Sequence, residues 1–269
     1  MGNTELKGRT ALVTGASSGI GAAFARDLAA RGANLIITAR RADNLAALAK
    51  ELEEKHHVEV TVIALDLAVP GAAEALFTKT EGAGRAVDVL INNAGGGIHR
   101  NFVDIPWEDT ARQIQLNVVT LTELTHRFAR AMMGRGKGHI LNVSSVGAYS
   151  PSPTYAAYSA GKAFVRDFSE AIAYELADTG VRVCSLCPGV TRSEFHKNAG
   201  HTPSALIRAT TMSAERCAAI GLDALFSGRR NVISGIINKV SMWLLRFMPR
   251  RALVWMAALS MGTPKAPEG

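Results

Sequence analysis

The chain has 269 residues, 48% of them hydrophobic, 20% charged and 6% aromatic. Those proportions exclude a disordered chain or a coiled coil, and the length is enough to bury a sizeable core. The formal charge is +7, but the excess is concentrated: between Arg229 and Lys265 stand seven Lys or Arg and no Asp or Glu. A solvated basic surface accounts for that excess as well as an anionic partner would, and no nucleic-acid motif stands behind it.

The N-terminal six residues are polar and carry no signal-peptide apolar region. Short β-rich runs then alternate with Ala-rich helical stretches. Strands are expected over residues 10–13, 34–38, 59–64, 87–91, 139–143, 181–186 and 231–234. Helices are expected over residues 19–31, 43–55, 72–81, 107–133, 155–178 and 213–226. Several strands are apolar at consecutive positions, as in a parallel sheet covered on both faces. The alternation predicts a single-domain, doubly wound α/β sheet of Rossmann type with about seven strands. Its ligand is expected at the carboxyl edge of the sheet.

The first strand runs into Thr14-Gly15-Ala16-Ser17-Ser18-Gly19-Ile20-Gly21, and a helix follows at once. Gly15 permits a tight turn, Gly19 a close approach of phosphate to backbone, and Gly21 close packing of helix on strand. Free N–H groups at the helix start suit a pyrophosphate. The second strand ends in Ala39-Arg40-Arg41, where an NAD enzyme carries an acid. A guanidinium there can grip a 2′-phosphate, so Arg40 predicts NADP(H) over NAD(H), with NAD(H) still usable. Arg41 reads equally well as solvent-facing. Asp66-Leu67, after the third strand, either meets an adenine amino group or caps the next turn.

Segment 142–145, Asn-Val-Ser-Ser, ends a strand, and Tyr158 and Lys162 follow one helical turn apart. A nearby ammonium favours phenolate, which would draw the tyrosine pKa down toward working pH. Such a phenol can protonate a carbonyl oxygen while hydride reaches the carbon, and a Ser145 hydroxyl can hold that oxygen. Ser144 is the rival to Ser145. Tyr149 and Tyr155 have no Lys four residues on and read as pocket wall, together with Phe195. His56, His57, His99 and His139 show no ligand spacing and read as surface or edge residues. No metal site is expected.

The odd, sparse set Cys184, Cys187 and Cys217 argues against a disulfide framework and for a reducing, cytoplasmic setting. The Cys184-x-x-Cys187 pair lies in a strand and reads as packed thiols. Residues 239–261 mix apolar and basic side chains, with Pro249 dividing two short helical pieces. This C-terminal extension (residues 239–269, beyond a catalytic unit of 1–238) would cover the pocket, meet another subunit or lie on a membrane surface; membrane contact is the less favoured of these. No apolar run is long enough to span a bilayer.

The motifs at Thr14–Gly21, Asn92-Asn93-Ala94-Gly95, Asn117, Ser145, Tyr158-x-x-x-Lys162 and Pro188-Gly189 stand in one order across about residues 7–195. Together they resemble the short-chain dehydrogenase/reductase family. The resemblance implies Tyr158 as acid/base, Ser145 as substrate-orienting residue, Lys162 also as binder of the nicotinamide ribose, and Asn117 as holder of a relay water. It implies that Asn93, Ala94 and Gly95 line the cofactor and brace the sheet, and that Val190 and Thr191 meet the nicotinamide amide. It further implies a small carbonyl or alcohol substrate and a homodimer or homotetramer formed through the two long helices; the apolar tail alone adds the expectation of a lipophilic substrate. A non-enzymatic dinucleotide sensor or scaffold on the same fold is the alternative. The loop 192–211, with Ser193, Phe195 and His196, would close over substrate.

Overall fold

A computed structural model describes residues 6–192, 195, 199–200 and 211–261. Seven parallel strands form one sheet in the order β3-β2-β1-β4-β5-β6-β7. They are β1 (Thr10–Thr14), β2 (Asn34–Ala39), β3 (Val60–Ala64), β4 (Val89–Asn92), β5 (Gly138–Val143), β6 (Val181–Cys187) and β7 (Asn231–Ile233). The α-helices lying wholly among the described residues are α1 (Gly19–Ala30), α2 (Ala42–His56), α3 (Ala72–Lys79), α4 (Trp107–Ile114), α5 (Leu121–Gly134), α6 (Ala156–Glu175), α7 (Ala214–Phe226), α8 (Ile236–Leu245) and α9 (Arg250–Met261). The expected alternation of strands and helices is therefore observed, with ends shifted by a few residues.

Two apolar clusters explain why the strands are apolar at consecutive positions. One packs Phe24, Leu28, Leu45, Leu52, Cys217 and Leu222 of α1, α2 and α7 on one face of the sheet. The other packs Leu76, Leu124, Phe128 and Met132 of α3 and α5 on the opposite face. β1 pairs with β2 on one side and β4 on the other, so the winding direction reverses between β1 and β4. That reversal opens a crevice at the carboxyl ends of the strands, and it sets the position of the site.

Polar residues also cross the core. Asn92 Nδ2 donates to Thr125 Oγ1 (3.0 Å) and Asn142 Oδ1 (2.9 Å), and Asn142 Nδ2 donates to Ser169 Oγ (3.0 Å). All four residues are buried, and the network ties β4 and β5 to α5 and α6. Breaking it would strand buried polar groups, at about 1–3 kcal/mol each.

The expected long helix 107–133 is not one uniform element. Between α4 and α5 the backbone takes a π-helical turn over Gln115–Thr120. The tail forms two helices as expected, but α8 begins at Ile236, so a boundary at residue 239 falls inside it. The three cysteines are free and buried, and Cys184 and Cys187 lie in β6. No cluster of metal-ligating side chains occurs among the described residues, and no described helix is long and apolar enough to cross a membrane.

Candidate active site

A cavity of ≈ 750 Å³ follows the carboxyl edge of the sheet. It runs from Arg40, Arg41 and Asp66 past the Gly15–Gly21 turn to Ser145, Tyr158, Lys162 and the Pro188–Thr191 segment. Ser17, Ser18, Gly19, Ile20, Leu67, Asn93, Ala94, Gly95, Gly189 and Val190 also line it.

The turn after β1 depends on its glycines. Gly15 (φ 67°) and Gly19 (φ 55°) lie in the left-handed region, which costs any β-carbon-bearing residue. Thr14 locks this turn to the one after β4. Its Oγ1 donates to the Ile91 carbonyl (3.2 Å) and accepts from the N–H groups of Asn93 (3.0 Å) and Ala94 (2.9 Å). Asn93 Nδ2 donates in return to the Thr14 carbonyl (2.9 Å). No side chain caps α1, so its first N–H groups are left for a ligand at the cavity wall.

Arg41 is not simply solvent-facing. Its Nη2 donates to Ser17 Oγ (3.1 Å) and Ser18 Oγ (2.8 Å), which braces the glycine turn with a positive charge. Arg40 is exposed on the cavity wall, and its guanidinium makes no hydrogen bond or salt bridge to a described residue. Asp66 is already engaged: Oδ1 accepts from the Ala68 N–H (2.9 Å) and Oδ2 pairs with Arg112 (2.7 Å). Of the two readings for Asp66, the turn cap is the one present. Uncapped N–H groups, a glycine cradle and a cation with a free fork together fit a dinucleotide that carries an extra phosphate.

Lower in the cavity, Ser145 lies two residues beyond β5 and accepts from the Gly147 N–H (3.0 Å), which orients its hydroxyl. A β-carbon on Gly147 would lie 3.4 Å from that hydroxyl and 3.8 Å from Tyr158 Cε1, so the serine and the tyrosine ring meet over one glycine. Ser144 is the wrong serine for substrate, because its Oγ is buried and donates to the Lys162 carbonyl (2.6 Å). Lys162 is 4% exposed, and its Nζ donates to the Val143 carbonyl (2.8 Å). Burial pushes the Lys162 ammonium down to about 8. Burial likewise pushes the Tyr158 phenol up to about 12, against the opposing hydrogen bond from Ser145. Within the protein alone, then, the ammonium does not bring the phenol toward neutrality as expected: desolvation dominates, and Nζ is directed at a backbone carbonyl.

Asn117 lies in the π-helical turn and is buried. Oδ1 accepts from the Gly96 N–H (3.0 Å) and Nδ2 donates to the Gly96 carbonyl (2.7 Å). It is therefore no exposed mid-helix polar residue; the extra residue of the turn aims it at the glycine loop. A β-carbon on Gly95 would lie 3.0 Å from Asn117 Oδ1 and 3.2 Å from Lys162 Nζ, so these groups close on one point.

The far wall is aromatic. The ring centroid of Tyr158 is 5.7 Å from that of Tyr155 and 5.2 Å from that of Phe195. A β-carbon on Gly97 would lie 2.9 Å from Phe195 Cζ and 3.2 Å from Tyr158 Cδ2, so only glycine leaves room there. His99, expected at the surface or an edge, is buried instead: its ring packs on Tyr155 at 5.0 Å, with the Met261 backbone beside it. Burial lowers its pKa. Met261, at the end of α9, lines the cavity, so the tail does reach the pocket. Tyr149, expected as pocket wall, is not there. Its hydroxyl accepts from Asn231 Nδ2 (3.3 Å), and Arg166 covers its ring at 4.6 Å. Ser193, His196 and most of the loop 192–211 lie outside the described residues.

From the sequence, Thr14 reads only as part of the glycine motif, Arg41 stays open and His99 falls to the surface or an edge, while Gly97 and Met261 draw no reading. The run Gly95-Gly96-Gly97 was a visible signal of close approach. His99 and Met261 left none, since they are brought together only by the fold.

The model of the short chain dehydrogenase family matches residues 9–233. The chain belongs to the short chain dehydrogenase family. It is an oxidoreductase of that family. A 7beta-hydroxysteroid dehydrogenase of Collinsella aerofaciens is 34% identical over 241 residues, covering 88% of this chain and 90% of that protein. A solved structure of a 7beta-hydroxysteroid dehydrogenase superposes with a TM-score of 0.86 at 31% identity, covering 96% of this chain and 99% of the other. A short-chain dehydrogenase of Sphingobium yanoikuyae in complex with NADPH superposes with a TM-score of 0.79 at 30% identity, covering 90% and 97%. This short-chain dehydrogenase therefore shares its sheet and crevice with enzymes of like size.

Proposed function

We propose that this chain interconverts a bulky, lipophilic ketone or aldehyde and the corresponding alcohol with NADP(H), NAD(H) serving less well. The observation that carries the reading is the Ser145–Tyr158 hydroxyl pair, backed by buried Lys162, opening onto the same cavity as the glycine cradle. Arg40 supports the choice of NADP(H), with Arg41 bracing the turn beside it. The aromatic wall of Tyr155, Tyr158 and Phe195, and the steroid-acting relatives, support a large apolar substrate.

When bound, the dinucleotide supplies hydride to the carbonyl carbon. The protein's part is to receive the oxygen. Ser145 donates a hydrogen bond to it, and Tyr158 delivers the proton as charge develops there. A phenol held near 12 is protonated at every physiological pH, which suits the reductive direction. Lys162 supplies positive potential behind the phenol and would hold a ribose hydroxyl of the bound dinucleotide. Asn117 keeps the Gly95–Gly96 backbone in place beneath both.

The sensor or scaffold alternative does not need a nearly inaccessible lysine behind a serine–tyrosine pair, an arrangement that costs desolvation and is of use in proton transfer. A homo-oligomer formed through α5 and α6 remains part of the proposal. It is supported by Phe164 on α6, which is 42% exposed and stacked on Phe168 at 5.6 Å. The deciding experiment is Tyr158→Phe assayed for NADPH oxidation with a panel of steroid and other bulky ketones. Loss of at least a hundredfold in kcat with NADPH binding retained is expected; undiminished turnover refutes the mechanism.

A further inference from the structure

The tail helices α8 and α9 carry a surface that the reaction does not use. None of the ten residues of α8 is fully buried, and Ala257 alone of the twelve in α9 is. Yet the segment is among the most apolar in the chain. Ile236, Ile237, Val240, Trp243, Leu244 and Phe247 are each at least half exposed. The five on α8 share one face, a stripe about 120° wide at 100° per residue, and Phe247 follows in the turn just after the helix. The Trp243 and Phe247 rings pack edge to face at 5.1 Å, so the stripe is ordered by its own contacts. Beyond Pro249, Trp255 (64% exposed) and Leu259 (65%) continue the apolar surface along α9.

The charge around this stripe restricts its partner. Lys239 on α8 and Arg246 at its C-terminal cap lie along one edge of the stripe, and Arg250 and Arg251 open α9. From Arg229 to Lys265 there is no acid to pair with them. A two-fold contact with a second copy would set this basic face against itself, four cations on each side. An anionic lipid surface satisfies both features at once: it takes up the apolar stripe and Trp rings at headgroup depth and pairs the cations with phosphate and carboxylate. The helices are too short to cross a bilayer, at about 15 and 18 Å against a hydrocarbon core of about 30 Å.

We infer that α8 and α9 form an interfacial anchor that seats this enzyme on an anionic membrane surface. The anchor ends at the active site, since Met261 lines the cavity. Seating therefore places the pocket next to the bilayer, where a lipophilic substrate would be concentrated.

The test uses the full chain with vesicles of phosphatidylcholine, with and without phosphatidylserine, read by co-sedimentation and by tryptophan emission. The wild type is expected to bind the phosphatidylserine vesicles with a blue shift, to be released by salt, and to leave pure phosphatidylcholine largely unbound. Trp243→Glu with Phe247→Glu is expected to abolish binding. Lys239→Gln with Arg246→Gln is expected to weaken it roughly 30-fold, about fivefold per cation. Turnover in vesicle-free buffer should be unchanged in both, because none of the four residues lines the cavity. Failure of the wild type to bind, equal binding to both vesicle types, or full binding by the Glu variant overturns the inference. So does a wild type that ignores vesicles and is an oligomer that the Glu variant turns into monomer. Because binding is read without turnover, loss of the catalytic reading would leave this result standing.

Discussion

Gly21 lies in the first turn of α1 with ordinary helical geometry, so propensity alone predicts that alanine should stabilise it by about 0.5–1 kcal/mol. The packing predicts the opposite. A methyl group there would collide with the Gly15 carbonyl oxygen and lie 2.6 Å from Asn93 Nδ2 and 2.8 Å from the Gly15 carbonyl carbon. Normal contacts of these types need roughly 3.4 Å or more. These neighbours cannot swing aside, because two are backbone and Asn93 is held by its bond to Thr14. The helix must then move off the strand, at about 1–3 kcal/mol of overpacking, and the Thr14–Asn93 clasp goes with it. The steric term wins, for a net loss of about 1–2 kcal/mol. At roughly 2–4 °C per kcal/mol for a chain of this size, Gly21→Ala should lower Tm by about 2–8 °C. The same displacement carries the uncapped N–H groups of α1 out of register, so NADPH affinity should fall at least tenfold. Gly134, at the end of α5, is the internal control: it is exposed, and a β-carbon there meets nothing within 4 Å. Gly134→Ala should leave Tm unchanged or raise it. Thermal melts and NADPH fluorescence titrations on both variants check this. If Gly21→Ala melts no lower than Gly134→Ala and binds NADPH as the wild type does, close packing is not what requires the glycine.

Arg40→Asp should weaken NADPH binding by roughly 10- to 150-fold, the value of one charge-assisted contact, while NADH binding changes little; titration with both cofactors reads this, and equal losses would remove Arg40 from the 2′-phosphate site. Asn117→Ala strands the Gly96 N–H and carbonyl and should cost about 1–3 kcal/mol in melts, with a larger fall in kcat than in NADPH affinity; a stability loss with kcat intact would make Asn117 purely structural. With Lys162 near 8 and Tyr158 near 12 in the free enzyme, kcat/KM for reduction should be flat below pH 7 and fall as pH rises through about 8, where the Lys162 charge is lost. Lys162→Arg should move that limb to higher pH, and an unmoved limb would assign it to another group.

The sequence by itself determined the sheet, the crevice edge and the residue types of the site. Local signals carry these: apolar runs mark buried strands, and a Gly-rich turn between strand and helix marks a phosphate cradle. The offset of Ser145, Tyr158 and Lys162 works because helix and strand geometry convert sequence spacing directly into direction. Only the tertiary structure decided what crosses between elements. Thr14 clasps Asn93 because β1 and β4 are neighbours at the winding reversal, 79 residues apart in sequence. Arg41 turns back to Ser17 and Ser18, while Tyr149 turns away to Asn231 on β7. His99 is buried against Tyr155 and beside the end of α9, a meeting no local pattern encodes. The protonation balance at Tyr158 and Lys162 belongs to this second class as well. Spacing places an ammonium near a phenol, but burial, a property of the whole packed molecule, determines which charge each can keep.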